Sequence, residues 1–292
     1  MASSRKRLRV AYQGERGAYS EDAVATVFRR AVEVVPCLEF RDAFEAVDTG
    51  TATHAVLPVE NSIEGTVAQV NDLLLEHDLT VTGEVIVPID HCLIANPRAT
   101  TDDIRIVYSH PQALGQCRRF LARHPRWRQV PTYDTAGSVK MIRERGRREE
   151  AAIASRRSAG IYRMKILAEG IQTDHENYTR FFVLEKHPKR IRDANKTSFA
   201  FIAKNLPGSL HACLGEFAKR GINLTKLESR PRRARPWNYV FFADFEGTMD
   251  DAKCREAVGA LVTTAGFVKV FGSYRRWTGD AYVRDAHGGK QG

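Results

Sequence analysis

Cysteine is scarce in this chain and unpatterned: Cys37, Cys92, Cys117, Cys213 and Cys254 are the only five in 292 residues. The count is odd, the spacing is wide and no C-x-x-C pair occurs, so neither a disulfide framework nor a zinc site is encoded. Reduced thiols are the default. A run of roughly 18 uncharged apolar residues, the length a membrane span requires, is also missing. The opening Met1-Ala2-Ser3-Ser4-Arg5-Lys6-Arg7 lacks the apolar core of a secretion signal. A soluble cytoplasmic protein with no membrane partner is expected. The nine histidines form no H-E-x-x-H helix, and no G-x-S-x-G elbow is present. Gly14-x-x-Gly17 is followed neither by a Walker lysine nor by the third glycine of a dinucleotide fingerprint. Metal, elbow-serine and nucleotide chemistry are therefore set aside, and no cofactor is expected.

What is present is ordinary globular composition, 43% hydrophobic and 27% charged. Lys and Arg number 45 against 35 Asp and Glu, a formal charge of +10 that favours anionic partners. Basic segments such as Arg143 to Glu150 mix both signs and carry no interleaved aromatic residues, so a small anionic metabolite fits as well as a nucleic acid. His54, His77, His91, His124 and His187 have no patterned partner and read as surface or core residues.

Leu8 to Tyr12 reads as a short buried strand, then the turn Gln13 to Gly17, then a helix capped by Ser20, with Glu21 and Asp22 in its first turn and Ala23, Val24, Val27 and Phe28 on one face. The pattern repeats. His54 to Val59 enters the turn Pro58 to Ser62, followed by Val67, Val70 and Leu74 at helical spacing. Ile104 to Tyr108 runs into Ser109-His110-Pro111 and a helix with Leu114, Cys117 and Leu121. Val130 to Tyr133 runs into Asp134 to Ser138 and a helix with Val139 and Ile142. Strands alternating with helices predict an α/β architecture whose ligands bind at strand carboxyl ends, where helix starts can hold an anion. After the charged run Lys186 to Arg192 and the boundary Asp193 to Lys196, the order βαββαβ over about 80 residues is ferredoxin-like. The tail from Arg284 has no apolar periodicity and is expected to be disordered.

The residues left for chemistry are mostly neutral and polar: Asn61 and Ser62, Ser109 with Gln116, Thr135 and Ser138, and Asn177-Tyr178-Thr179-Arg180-Phe181. Ser109 and Gln116 are seven apart and are expected to share one helix face. Arg180, opening an apolar strand, suits bidentate capture of a carboxylate, with a surface ion pair as the alternative.

Four motifs in order, Gly14-Glu15-Arg16-Gly17-Ala18-Tyr19-Ser20, Pro58 to Gly65, Ser109 to Cys117 and Thr179-Arg180-Phe181, resemble those of prephenate and arogenate dehydratases. Asn205-Leu206-Pro207-Gly208-Ser209-Leu210 and Asn223 to Pro231 resemble the phenylalanine-binding segments of the ACT domain attached to these enzymes, with Ser209 where alanine or valine is commoner. The resemblance covers roughly residues 8 to 277. It implies an α/β catalytic domain over 8–187 with two lobes of the type II periplasmic-binding-protein fold, crossing near 85 and 175, and an ACT domain over 196–277. The implied reaction converts prephenate to phenylpyruvate without cofactor or metal. Thr179, Arg180, Asn61, Ser109 and Gln116 would be catalytic, and Ser62, Thr135, Ser138 and Phe181 would bind substrate. Asn205, Pro207, Gly208, Ser209, Leu210, Glu228, Ser229, Arg230 and Pro231 would hold the effector L-phenylalanine, the last four from a neighbouring subunit of a homodimer or homotetramer. Arogenate is the alternative substrate, which in a plant enzyme would imply the plastid stroma. The short link Arg232 to Trp237 looks more like microbial members. A non-catalytic amino-acid sensor is the reading from another class.

Overall fold

The computed structural model describes residues 8–29, 31–231 and 239–279. Met1 to Arg7, the link Arg232 to Trp237 and the tail from Arg284 lie outside the described residues. The described residues of Met1–Val70 and Val85–Phe181 belong to one compact unit, and Asn71–Glu84 with Phe182–Thr278 to a second.

The first unit holds two α/β sheets. One is built from β1 (Arg9–Gln13), β2 (Glu33–Cys37), β3 (His54–Asn61), β5 (Thr80–Pro88) and β11 (Tyr178–Glu185). Its order is β2-β1-β3-β11-β5, with the short β4 (Gly65–Thr66) antiparallel to the end of β3; the start of β5 up to Glu84, the end of β11 from Phe182 and the part of α3 from Asn71 belong to the second unit. Its helices are α1 (Tyr19–Phe28), α2 (Phe40–Asp48) and α3 (Ala68–Glu76). The other sheet has β6 (Cys92–Ala95), β7 (Ile106–Ser109), β8 (Arg128–Pro131), β9 (Glu150–Ala154) and β10 (Lys165–Ala168), in the order β10-β6-β9-β7-β8. It carries α4 (Pro111–Gln116), α5 (Arg118–Ala122), α6 (Thr135–Arg145) and α7 (Arg156–Tyr162). In both sheets one strand, β1 or β7, lies parallel between the next two strands of its own sheet, β2 and β3 or β8 and β9. In both, the next strand outward, β11 or β6, is one that borders a crossing between the sheets. The same order made twice is the two-lobed, type II periplasmic-binding-protein-like arrangement. The chain crosses at 89–91 and returns at 169–177.

Burial explains which strands the sequence displays. Val10, Ala11 and Tyr12 are wholly buried, as are Ala151 to Ala154 on β9, because these central strands are covered on both faces. Local expectations fail where tertiary partners decide. Ser20 is not the cap of α1: Ala18 is, and it offers no side-chain acceptor. The free Gly17 N–H is instead taken by the Glu21 carboxylate at 2.7 Å. The second of the four turns does not open a helix, because β3 continues through Asn61 and pairs with β4 first. Cys117 separates α4 from α5, so Leu114 and Leu121 sit on two short helices.

The second unit contains β12 (Lys196–Ile202), α8 (Ser209–Ala218), β13 (Leu224–Pro231), β14 (Tyr239–Glu246), α9 (Ala252–Thr264) and β15 (Phe267–Tyr274). This is the βαββαβ order, with the antiparallel sheet arranged β13-β14-β12-β15. Phe199, Phe201, Phe217 and Phe245 fill the core under α8 and α9. On β12 the Lys196 ammonium lies 3.0 Å from a Glu84 carboxylate oxygen and 3.6 Å from one of Asp244, all three side chains nearly excluded from solvent. Gly272 allows β15 to approach β5, since a Cβ there would stand 2.2 Å from Val81 O.

Candidate active site

Asn61 ends β3 beside β11, 7% exposed, and its side chain is used twice over. The Oδ1 atom accepts the backbone N–H groups of Ile63 (3.0 Å) and Glu64 (2.9 Å), closing an Asx turn. Its Nδ2 donates to Asn177 Oδ1 at 2.8 Å, Tyr178 O at 3.1 Å and Thr179 Oγ1 at 2.9 Å. Asn177, in the return crossing, donates from Nδ2 to Gln116 Oε1 at 2.9 Å. Gln116 ends α4 in the other lobe, and its Oε1 also faces His91 Nε2 at 2.8 Å. His91 lies in the first crossing, with Nδ1 at 2.8 Å from the Tyr19 hydroxyl. A continuous chain thus joins Thr179 on β11 to Tyr19 on α1 through both crossings and both lobes. Burial lowers the His91 pKa against the opposing effect of Gln116, and burial of the Tyr19 hydroxyl pushes its pKa well above the ordinary phenol value.

Three of the five sequence-predicted catalytic residues meet here: Asn61, Gln116 and Thr179. Arg180, 8% exposed, points its Nη1 to Glu60 Oε2 at 3.4 Å. Ser109 does not join them. It ends β7 instead of starting a helix, is fully buried, and donates its hydroxyl to Ile153 O at 2.6 Å, so it shares no helix face with Gln116. Ser62 links β3 to the return crossing, donating to Glu176 O and accepting from Tyr178 N, both at 2.9 Å. Thr135 opens α6, while Ser138, 1% exposed, turns its hydroxyl back to Asp134 O at 2.8 Å and to Thr132 Oγ1. Phe181 is 2% exposed and is a core side chain. In the sequence His91 reads as a surface or core residue and Tyr19 only as a member of the first motif; the available hint is a polar residue, His91, between apolar strands, in the segment Val87-Pro88-Ile89-Asp90-His91-Cys92.

A cavity of about 690 Å³ reaches Gln116 and the Ile63-Glu64 turn. Arg118, Arg119 and His175 line it with Glu64, Asp174 and Glu176. The lobes are also tied at their other loops. Ser155 and Ser158 both donate to Gly17 O at 2.8 Å, Lys140 pairs with Glu15 at 3.2 Å, and Arg157 binds Asp22. Gly17 has φ +90, and a Cβ on it would meet Ser158 Cα at 2.9 Å, so a side chain there would push the lobes apart. Asp134, capping α6 through Gly137 N–H, has its carboxyl pKa raised by burial. Among the described residues no group of three or more His, Cys, Asp or Glu could hold a metal ion, and no helix is long and apolar enough to cross a membrane.

In the second unit Asn205, Leu206, Pro207 and Gly208 form an exposed loop before α8, Gly208 being left-handed at φ +81; Ser209 and Leu210 open the helix. Glu228, Ser229, Arg230 and Pro231 lie on the edge strand β13. Arg230 pairs within its own chain with Asp72 of α3 at 3.0 Å, and Glu228 lies 3.6 Å from Lys226.

Fold and site together define a two-lobed α/β domain with a polar centre of amides and a hydroxyl, followed by a ferredoxin-like domain. Residues 10–189 match the family model for prephenate dehydratase and residues 197–262 that for the ACT domain. The chain belongs to the prephenate dehydratase family. It is 44% identical over 284 residues to arogenate dehydratase/prephenate dehydratase 2, chloroplastic, of Arabidopsis thaliana, covering 93% of this chain and 74% of that one. It is 38% identical to the bifunctional chorismate mutase/prephenate dehydratase of Aquifex aeolicus, over 93% of this chain and 75% of that one. Among solved structures, prephenate dehydratase from Arthrobacter aurescens in complex with L-Phe is similar with a TM-score of 0.84 and 31% identity, covering 94% of this chain and 92% of that one. GqqA, described as a novel type of quorum quenching acylase, also reaches a TM-score of 0.84 at 32% identity, covering 92% and 98%.

Proposed function

We propose that this chain is a carbon–oxygen lyase that converts prephenate to phenylpyruvate, inhibited by phenylalanine through its ACT domain. The observation that carries this reading is the meeting of Asn61, Gln116 and Thr179, from three separate family motifs, in one bonded chain. In the reaction the ring carboxylate leaves as carbon dioxide, and the electron pair of its bond to the ring enters the ring. The ring hydroxyl departs with its own bonding pair and one proton as water. Aromatisation drives the step, so the protein needs to orient the dianion and stabilise the departing oxygen. Thr179 Oγ1 accepts from Asn61, which leaves its proton to be donated to that oxygen. Arg180 pairs with the side-chain carboxylate, since a strong partner for the departing carboxylate would favour the ground state over a transition state losing that charge. The Ser109 hydroxyl spends its hydrogen on Ile153 O and keeps its oxygen as an acceptor.

Arogenate is a second substrate reading, supported by the names of the plant relatives. Exposed Leu227, Tyr239 and Phe267 on the second unit's sheet support self-association, and the free thiols fit a reducing compartment such as the cytoplasm. The test is incubation with prephenate and with arogenate, each with and without phenylalanine, alongside an acylated amine as control for the likeness to GqqA. Prephenate turnover suppressed by phenylalanine supports the proposal. Preference for arogenate moves it to the second substrate, and turnover of neither overturns it.

A further inference from the structure

Side-chain amides can be turned through 180° with little change of shape, so the direction of a chain of amides has to be argued from partners that have no choice. Here there are two such anchors at one end. The backbone N–H groups of Ile63 and Glu64 can only donate, so the Asn61 atom facing them is oxygen. Tyr178 O can only accept, so the Asn61 atom facing it is nitrogen. With Asn61 fixed, every later link follows. Asn177 presents oxygen to Asn61 and therefore NH2 to Gln116. Gln116 presents oxygen to Asn177, and that same oxygen faces His91 Nε2 at 2.8 Å. Two acceptors do not face one another at that distance, so Nε2 carries hydrogen. His91 is 2% exposed, and burial favours its neutral form. A neutral imidazole protonated at Nε2 has a lone pair at Nδ1, which the Tyr19 hydroxyl, 2.8 Å away, satisfies by donating. Asp90 O, which can only accept, also lies 2.8 Å from that hydroxyl, so the single Tyr19 hydrogen is shared between Asp90 O and Nδ1; given wholly to Asp90 O it would leave Nδ1 needing a hydrogen of its own and the ring charged, which burial disfavours.

We infer that His91 and Tyr19 are positioning residues for the reaction: Tyr19 holds His91 as the Nε2–H tautomer, His91 fixes the Gln116 carbonyl, and the amides beyond it hold the Thr179 hydroxyl as a donor. This rests on the dehydratase reading of the site. The opposite tautomer would set the Nε2 lone pair against Gln116 Oε1 and favour reversal of that amide. A reversed Gln116 would present NH2 to the NH2 of Asn177. The conflict is relieved only by turning Asn177 and then Asn61, which the two backbone N–H groups forbid. The same direction leaves the Gln116 NH2 for a ligand.

The first test is nitrogen-15 NMR of the histidine rings in the wild-type protein, with the His91 signals assigned by their loss in His91→Gln. The expected signature is a protonated Nε2 and an unprotonated Nδ1; a protonated Nδ1 in a neutral ring overturns the inference. This readout does not depend on turnover, so failure of the wild type to consume either substrate refutes the dehydratase reading separately. The second test is kinetic. Glutamine can place an amide N–H near the Nε2 position and asparagine cannot reach it. His91→Gln is expected to keep kcat within about threefold, and His91→Asn to lower it about tenfold or more with KM little changed, the loss of about one net hydrogen bond. Tyr19→Phe should lower kcat in the wild type and add almost nothing to His91→Gln, because glutamine has no tautomer to hold. Equal effects of Tyr19→Phe in both backgrounds, or equal losses in His91→Gln and His91→Asn, contradict the proposed roles.

Discussion

Asn61→Asp changes one NH2 to oxygen and almost nothing in shape. The oxygen facing Ile63 and Glu64 keeps both backbone donors at 3.0 and 2.9 Å. The other oxygen faces three acceptors, Asn177 Oδ1 at 2.8 Å, Thr179 Oγ1 at 2.9 Å and Tyr178 O at 3.1 Å. Thr179 can relieve this by turning its hydroxyl inward to donate to the new carboxylate, which removes it as a donor to the departing oxygen. Losing one aimed donor of this kind costs about 10²- to 10³-fold in kcat, roughly 3 to 4 kcal/mol in the barrier. KM should change little, because the donor matters when charge develops on the leaving oxygen. Burial and the three facing acceptors raise the pKa of the introduced carboxyl, and its protonated form can donate again. The kcat deficit should therefore shrink as pH falls, a trend that Asn61→Ala lacks. Phenylpyruvate formation at a series of pH values measures both effects. A folded Asn61→Asp protein with kcat within threefold of wild type at pH 8 refutes the claim that Asn61 orients Thr179.

Arg180→Lys should raise KM about 10- to 100-fold with kcat within a few fold, since one charged hydrogen bond of a bidentate pair is worth about 1.5 to 3 kcal/mol; a purely kcat effect in steady-state kinetics contradicts its pairing with the side-chain carboxylate. Lys196→Met leaves the carboxylates of Glu84 and Asp244 without their shared cation. It should cost about 3 to 5 kcal/mol in urea unfolding, and a loss below 1 kcal/mol would show that the ammonium is dispensable. Because burial depresses the His91 pKa in the folded state, its contribution to stability is complete above the ordinary value of 6.5 and is lost as pH falls from there through the folded value. Tyr19, Asp90 and Gln116 face the ring. Melting temperatures between pH 7 and 5 should fall less steeply in His91→Gln than in wild type, and parallel slopes would assign the acid sensitivity elsewhere.

The sequence displays this fold where burial is symmetrical and hides it where partners are remote. The central strands β1, β3 and β7 carry short apolar runs, and the ferredoxin-like unit is legible almost element by element because its helices and strands are locally patterned. Strands β2, β5, β6, β9 and β10 are not distinguished in the sequence: the apolar runs at 151–154 and 166–168 are too short to be told from other buried segments by periodicity. Individual site residues, Asn61, Gln116 and Thr179, stood out as neutral polar residues at strand and helix ends. Their order did not. The links Asn61–Thr179, Asn177–Gln116 and His91–Tyr19 span 118, 61 and 72 residues, distances over which periodicity carries no information. The shared helix face expected of Ser109 and Gln116 fails because Ser109 ends β7, and a one-residue shift of a strand end decides which way a hydroxyl at such a turn points.

The central claim is that a threonine hydroxyl, held as a donor by an amide, assists departure of the ring oxygen. Comparing kcat of Thr179→Ser and Thr179→Val with wild type on prephenate tests it most directly. Serine keeps the hydroxyl and should remain within about tenfold, while valine keeps the shape and should lose about 10²-fold or more. Valine as active as wild type would contradict the account.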